Sequence, residues 1–240
     1  MNTIVLQSYS KESAPEWIHR CLESVRRWAE KQGYIRRMIG DELFDVVPDW
    51  YMTKTGKGPI AADYARLVAM QKILAEDAVE QVIWLDADVY VLDQDMALAY
   101  QGSCAFGQEV WVQQEAKSLR ARKNVHNAVC LFKKHCVVLP FLTETVASII
   151  RRADPDNIAP QMVGPKLLTA LHSLYAFDLL PNVGAVSQEV ARDISSRGGP
   201  ALTMLLNKTS VPLQAVNLCS SLMDDALGLK VLKNIRLLVP

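Results

Sequence analysis

Residues 81–92 carry an apolar run, Val-Ile-Trp-Leu, that passes directly into Asp86-Ala87-Asp88 and then into further apolar residues. A short apolar run bounded by polar residues is typical of a buried strand in an α/β sheet. Burial of an unpaired carboxylate is costly, so two carboxylates at a strand end need a compensating partner. Since ligands bind at the carboxyl ends of strands in open α/β sheets, this motif marks a candidate site.

Asp86 and Asp88 are two residues apart, so both side chains would point to one face of an extended chain. Two hard oxygen ligands on one face suit a divalent cation such as Mg²⁺ or Mn²⁺, and such a cation typically carries a phosphate group. The alternative is an ordinary turn or helix cap, where Asp is common. The apolar run before the motif favours the site, because no Gly, Pro or Asn marks a turn there.

Composition limits the class of protein. The chain has 240 residues, half of them hydrophobic, with 26 basic and 26 acidic residues. This length suits one large α/β domain, and the balanced charge does not favour nucleic acid. The five scattered cysteines indicate reduced, intracellular usage. Without a signal-peptide pattern or a membrane-length apolar window, we expect a cytoplasmic protein with no transmembrane segment.

Hydrophobic periodicity predicts strands and helices in alternation, as in an α/β fold. The predicted strands cover residues 3–6, 34–39, 82–85, 105–111, 127–132, 177–180, 183–186 and 213–218. The predicted helices cover residues 14–31, with Ser13 as its cap, 60–75, 137–151 and 165–172. Residues 119–123 are interpreted as a basic segment between two strands, and Gly198-Gly199-Pro200 as a break.

Two further pieces are candidates for the site. The loop after the first strand lines the ligand crevice of doubly wound folds, so Ser8 could hydrogen-bond and Tyr9 could stack on a bound base. An ordinary polar loop is the alternative. Asp63 and Arg66 are three residues apart and share one side of the helix at 60–75. A surface ion pair worth under ~1 kcal/mol is the alternative, but the position just before the Asp86 strand favours a role in the site.

These pieces resemble the nucleotide-sugar-dependent glycosyltransferases of the GT-A fold. Within them the chain is most similar to the group that includes capsular-polysaccharide synthesis enzymes and glucosylating bacterial toxins. That group has Asp-x-x-Arg on a helix and then a strand ending in Asp-x-Asp, similar to 63–66 and 86–88. It also has an Asn that starts a strand, a Gly-Pro before a helix with Leu-Thr, and a late Ala-Val-His-Leu-like strand. The corresponding positions here are Asn127, Gly164 and 215–218, where Asn217 replaces the His.

The resemblance implies a single Rossmann-like GT-A domain, α/β with a mixed, mostly parallel sheet flanked by helices, over residues 1–225. Residues 226–240 would form an amphipathic tail that either makes peripheral membrane contact or packs on the domain or a partner. The implied activity is Mn²⁺- or Mg²⁺-dependent transfer of a sugar, with retention, in polysaccharide biosynthesis. The donor would be a nucleotide-diphosphate sugar, UDP-sugar favoured, and the acceptor a glycan or another hydroxyl compound.

The resemblance also implies roles for individual residues. Asp86, Asp88 and Asn217 would hold the metal, and Arg66 and Asp88 would act in catalysis. The nucleotide sugar would be bound by Ser8, Tyr9, Asp63, Arg66, Asp86, Asn127 and Gly164.

Two other functions stay open on the sequence. A phosphatase of the haloacid-dehalogenase type also has a buried strand ending in Asp-x-Asp; Asp86 would be its nucleophile and Asp224-Asp225 its late acidic motif. A catalytically degenerate domain that only binds a sugar nucleotide is the other alternative, because Asn217 cannot carry a proton as His does.

Overall fold

The computed structural model describes residues 2–10 and 14–239, so the predicted cap Ser13 lies outside the described residues. The strands are β1 Asn2–Ser8, β2 Ile35–Ile39, β3 Val79–Leu85, β4 Val89–Val91, β5 Cys104–Glu115, β6 Ser118–Lys133, β7 Asp178–Leu180, β8 Val183–Ala185 and β9 Ala215–Asn217. The α-helices are α1 Glu16–Lys31, α2 Asp49–Thr55, α3 Pro59–Leu74, α4 Val138–Arg152, α5 Pro165–Leu174, α6 Gln188–Ser195, α7 Pro200–Lys208 and α8 Asp225–Lys233. Short 3₁₀ helices cover Asp41–Val46, Pro155–Asn157, Ser220–Leu222 and Ile235–Leu238.

Two sheets are formed by the described residues. The larger has six strands in the order β2-β1-β3-β6-β5-β7, and β1 pairs in parallel with both β2 and β3. β6 runs antiparallel to β3 and to β5, whereas β5 and β7 are parallel. The smaller sheet has the order β4-β9-β8. The chain is therefore an α/β protein with a mixed sheet flanked by helices, as predicted.

The central strands are buried on both faces. In β3, Val82 and Trp84 contribute to one hydrophobic cluster, together with residues of α3 and α4, while Ile83 and Leu85 contribute to another with Val25 of α1. This alternation follows from the two-residue period of a strand with helices on both sides. A third cluster joins α1, α6, α7 and α8 around the smaller sheet.

The chain leaves the larger sheet at the Asp-Ala-Asp motif. Residues 87–88 form a turn, in which the Val89 amide donates to the Asp86 carbonyl at 3.0 Å, and β4 then joins the smaller sheet. The prediction that Asp86 and Asp88 lie in extended chain is therefore wrong. The physical reason is that β4 finds its hydrogen-bond partner in β9, which lies in another sheet.

The segment 119–123 is not a connection but part of β6. β5 and β6 form a long hairpin in which Trp111 pairs with Arg122 and Glu115 with Ser118. Leu119 and Ala121 alternate with basic residues and pack against the third cluster. The polar-apolar alternation is that of a strand with one buried face, and it outweighs the high local charge.

Two helices in the C-terminal half, α6 and α7, were not predicted. The Ser187 hydroxyl caps α6 by accepting from the Val190 amide. Asp193, near the end of α6, accepts from the amides of Ala201 at 2.7 Å and Leu202 at 3.0 Å. The predicted break at Gly198-Gly199-Pro200 separates α6 from α7, except that Pro200 already belongs to the first turn of α7, where its missing N–H costs no helical hydrogen bond.

The tail packs on the rest of the chain. Its residues Val231 and Leu238 are fully buried in the third cluster, and Gly228 lies against the Trp17 ring of α1. A Cβ at Gly228 would come within 2.7 Å of that ring. Across residues 2–10 and 14–239, no helix combines the length and apolarity that crossing a membrane requires.

Candidate functional site

Arg66 joins the predicted site residues into one buried network. Its guanidinium Nη2 lies 3.2 Å from Asp63 Oδ1, and its Nη1 lies 3.1 Å from Asp86 Oδ1. The Arg66 side chain is 9% exposed, so this is not a surface pair. Arg66 Nη1 also donates to the Asn127 carbonyl at 2.8 Å, and the Asn127 amide donates to Asp63 Oδ1 at 2.8 Å. Four residues from α3, the motif and β6 thus meet at one point.

Trp84, in β3, also binds the Asp86 carboxylate. Its indole Nε1 donates to Asp86 Oδ1 at 2.6 Å, and the Arg66 guanidinium carbon lies 5.2 Å from the centre of its ring. Sequence reasoning missed this role. The available signal was a Trp in a buried strand, because a buried indole N–H needs a hydrogen-bond acceptor and Asp86 follows two residues later.

Asp88 and Asn217 are brought together by the pairing of β4 with β9. The Asp88 side chain is buried, and its Oδ2 accepts from the Ser220 amide at 2.7 Å. The Leu218 amide donates to the Asp88 carbonyl at 3.0 Å. Asn217 Oδ1 accepts from the Cys219 amide at 2.8 Å. Asp88, in the turn just before β4, therefore lies beside Asn217 at the end of β9, although the two residues are 129 positions apart in the chain.

The carboxylates of this network are desolvated. Burial raises the pKa of Asp63, of Asp86 and of Asp88 above the ordinary carboxyl value. Arg66 opposes this effect at Asp63 and Asp86, whereas the charge of Asp86 raises the pKa of Asp88 further. Burial also disfavours the charged form of Arg66. The charges of Asp86 and Asp63 outweigh this effect, so the pKa of Arg66 is raised. When Asp63, Asp86, Asp88 and Arg66 are all ionised, the three carboxylates exceed the guanidinium by two charges, which is the charge of a divalent cation.

Gly164, at the start of α5, touches the network directly. A Cβ at this position would lie 2.6 Å from Asp63 Oδ2 and 3.2 Å from Asn127 Nδ2. Its φ of −102° is accessible to any residue, so the constraint is the close approach and not the backbone conformation.

Gly164→Ala is therefore expected to destabilise the protein by about 1–3 kcal/mol, because the methyl group displaces the Asp63 carboxylate. Urea unfolding measures this change. Gly58→Ala is a matched control, since Gly58 also precedes a Pro at the start of a helix and a Cβ there meets no described atom within 4 Å. Equal stability of the two variants would contradict the expectation.

A cleft of about 790 Å³ adjoins the network. It is lined by Asp86, Asn127 and Asn217, by one face of the β5–β6 hairpin, and by residues of α5. This volume is within the range of small-molecule sites, and the wall is polar. The sequence did not predict the hairpin wall, because the basic segment 119–123 lies within β6 and not between two strands.

β1 extends two residues further than predicted, so Ser8 is its last residue and not part of the loop, whereas Tyr9 follows the strand as predicted. Neither residue is among the described residues that line the cleft. The Ser8 hydroxyl donates to the Gly40 carbonyl at 3.4 Å. Burial, and then the charges of Asp225 and Asp88, raise the pKa of Tyr9, so its hydroxyl lies in the field of the motif.

Within the described part of the chain, no group of three or more His, Cys, Asp and Glu side chains is arranged to hold a metal ion. The two carboxylates of the motif would need an oxygen ligand of another type, and the Asn217 amide is the one predicted. The phosphatase alternative is not supported. Asp224 caps α8 by accepting from the Leu227 amide, and Asp225 accepts from the Trp17 indole, so the late acidic pair has structural partners.

No protein-family model and no curated protein matches the sequence. Solved structures do match the fold. A glycosyltransferase involved in the glycosylation of the major capsid of the virus PBCV-1 is 13% identical, with 96% of this chain and 98% of that chain covered and a TM-score of 0.52. The galactosyltransferase LgtC, in complex with donor and acceptor sugar analogues, is 14% identical over 98% and 95% of the two chains, with a TM-score of 0.49. Mouse xyloside xylosyltransferase 1 is 11% identical over 93% and 100%, with a TM-score of 0.48. The match to the capsid glycosyltransferase shows that the chain has the GT-A fold predicted from its motifs.

Proposed function

From this GT-A fold we propose that the chain is a glycosyltransferase, which moves a sugar from a nucleotide-diphosphate donor to a carbohydrate or other hydroxyl acceptor. The observation that carries the proposal is the buried network of Asp63, Arg66, Asp86 and Asn127 at the end of a polar cleft. Buried ion pairs contribute little to net stability compared with apolar packing, so a function at the cleft is the better reason for this one.

The oxygen atoms that would ligate a metal here suit a divalent cation. Asp86, Asp88 and Asn217 offer only oxygen atoms, which Mg²⁺ and Mn²⁺ prefer. Asn217 Oδ1 already accepts one hydrogen bond from the Cys219 amide, but a carbonyl oxygen has a second lone pair. When all are ionised, the three carboxylates of Asp63, Asp86 and Asp88 exceed the single charge of Arg66 by two, which also supports a cation. When bound, such a cation neutralises charge on the leaving diphosphate.

Arg66 is proposed to act through Asp86. Arg66 forms ion pairs with Asp63 at 3.2 Å and with Asp86 at 3.1 Å. Its positive charge therefore favours the ionised forms of both carboxylates and holds them in place. Asn127 lines the cleft, where its amide oxygen can accept from a sugar hydroxyl. Ser8 and Tyr9 remain the proposed contacts to the base. A UDP donor and retention of configuration are proposed from the resemblance to the capsular-polysaccharide and toxin group.

A thermal-shift screen of UDP-, GDP- and CMP-sugars with and without Mn²⁺ tests the proposal. At about 100 times the dissociation constant, one nucleotide class is expected to raise the melting temperature by about 5–10 °C, and only with the metal. Release of the nucleoside diphosphate in the same mixtures reports turnover. Absence of any shift with every donor, with and without metal, would contradict the proposal.

A degenerate, binding-only domain remains the second candidate. It is favoured by Asn217, whose oxygen already accepts from the Cys219 amide, at the position that corresponds to a His in the glycosyltransferase group that the sequence resembles. The same screen separates the two functions. Metal-dependent stabilisation without hydrolysis or transfer would support binding only, whereas release of the nucleoside diphosphate would support the enzyme.

A further inference from the structure

Trp111 is a tryptophan whose position is not accounted for by packing in a hydrophobic cluster. Among the described tryptophans, Trp17, Trp28 and Trp84 are buried in hydrophobic clusters, and Trp50 packs on the Tyr51 ring with a centroid distance of 5.3 Å. Trp111 is half-buried, belongs to none of the hydrophobic clusters of the described residues, and lines the cleft. A large apolar ring at the wall of a polar cleft is a feature of ligand sites.

The hairpin turns its other face to the core. Val110 and Val112, which alternate with Trp111 in β5, are buried in the third cluster beside α6 and α7. The face with Trp111 carries planar polar groups. The Asn124 amide donates to Glu109 at 3.1 Å, and the Trp111 indole donates to Gln113 at 3.1 Å. The strand period thus places one aromatic ring among amide, carboxylate and guanidinium groups on the cleft side.

His126 adds an unsatisfied acceptor to the same cleft. It is 3% exposed, and its Nε2 lies 3.2 Å from the Val183 carbonyl, so Nε2 carries the proton and donates. Burial lowers the pKa of His126, which keeps the ring neutral. Its Nδ1 is then an acceptor, and it has no hydrogen-bond partner among the described residues. Buried polar atoms are almost always paired, so this unpaired nitrogen is an additional polar feature of the cleft lining.

The charges on the cleft wall are mixed. Glu109, Arg122 and Lys166 all line the cleft, so this part of it favours neither a strongly anionic nor a strongly cationic ligand. The row of cleft-lining residues from Glu109 to Gln113 spans about 14 Å at the rise of a strand, which is long enough for two or three linked sugar rings. Planar hydrogen-bonding groups beside an aromatic platform match a ligand with hydroxyls at its rim and C–H groups on its faces.

We propose that this hairpin face, centred on Trp111, binds a neutral oligosaccharide chain as the acceptor, with one sugar ring stacked on the indole. The inference rests on the proposed function, because it assigns the part of the cleft beyond the donor end at Asp86. It specifies the acceptor as a linear saccharide.

The test is binding of a microarray of neutral linear oligosaccharides, followed by calorimetry on the best ligand, with the wild-type protein and three variants. Trp111→Ala is expected to weaken the affinity about tenfold or more, as for a stacked anchor residue. Trp111→Phe retains a stacking ring and is expected to keep most of the affinity. Trp50→Ala removes a partly exposed tryptophan from α2 and is expected to change nothing.

Each protein is also tested with the nucleotide sugar and Mn²⁺ by thermal shift. A normal nucleotide-sugar shift with no oligosaccharide bound, or with equal oligosaccharide affinity in Trp111→Ala, overturns the inference and leaves the proposed function standing. Loss of oligosaccharide affinity in Trp111→Ala with an unchanged nucleotide-sugar shift supports it. Oligosaccharide binding at Trp111 without any nucleotide-sugar shift in the wild type supports the saccharide surface and counts against the transferase.

Discussion

Asp88→Asn is expected to lower metal-dependent turnover of the donor by about 100-fold or more, the scale of losing a central electrostatic group. The substitution removes the negative charge that would hold the cation, and it changes little else. The Asn oxygen can still accept from the Ser220 amide, as Asp88 Oδ2 does at 2.7 Å. Since burial disfavours the charged form of Asp88, a neutral amide should not lower the stability of the protein. Release of nucleoside diphosphate in the presence of Mn²⁺ measures the first effect, and the melting temperature the second.

Asp95→Asn is the control for this experiment. Its side chain is 74% exposed and pairs with Lys31 at 2.6 Å, away from the network, so both turnover and melting temperature should be unchanged. Undiminished turnover in Asp88→Asn would sink the assignment of Asp88 to the metal. A large fall in melting temperature in that variant would instead show that the carboxylate is needed for the fold.

Arg66→Met is expected to destabilise the protein by about 3–5 kcal/mol, the cost of leaving buried carboxylates without their cation. Asp63 and Asp86 would both lose an ion pair, at 3.2 Å and 3.1 Å, in a site where burial already raises their pKa values. Met fills a similar apolar volume, so the effect is mainly electrostatic. Guanidinium unfolding at neutral pH gives the change in the free energy of unfolding, and donor turnover should fall as well.

Two variants check the cause of that loss. Arg20→Met breaks an exposed pair with Glu16 and should have only a small effect, since exposed ion pairs contribute little. Adding Asp63→Asn to Arg66→Met removes one of the stranded charges and should restore part of the lost stability. If the double variant is as unstable as the sum of the two single variants, the loss comes from packing and not from charge.

The parts of the site that lie on one helix or one strand could be predicted from the sequence. The spacing of Asp63 and Arg66 places both on one side of α3, and the apolar run before Asp86 marks the end of β3. Each of these predictions depends only on the local period of a helix, 3.6 residues, or of a strand, 2 residues. The order of motifs along the chain then pointed to the GT-A fold, and the structure has that fold.

Contacts between segments that are distant in the chain could not be predicted from local periodicity. Nothing near Asp88 in the chain predicts the Ser220 amide, and nothing near Asp63 predicts Gly164, because these contacts depend on how β4 meets β9 and how α5 meets α3. The turn at Asp86–Asp88 has the same origin. Its residues would be compatible with a continuous strand, and only the second sheet draws β4 away.

The sequence by itself therefore determined which residues carry charge on the buried side of α3 and at the end of β3, because hydrophobic burial imposes local periodicity on both elements. Only the tertiary structure decided that Arg66 serves two carboxylates at once, that Trp84 holds Asp86, and that Trp111 faces a cleft. These outcomes require elements far apart in the chain to pack at defined distances, and the free energy of that packing belongs to the whole molecule and not to any one segment.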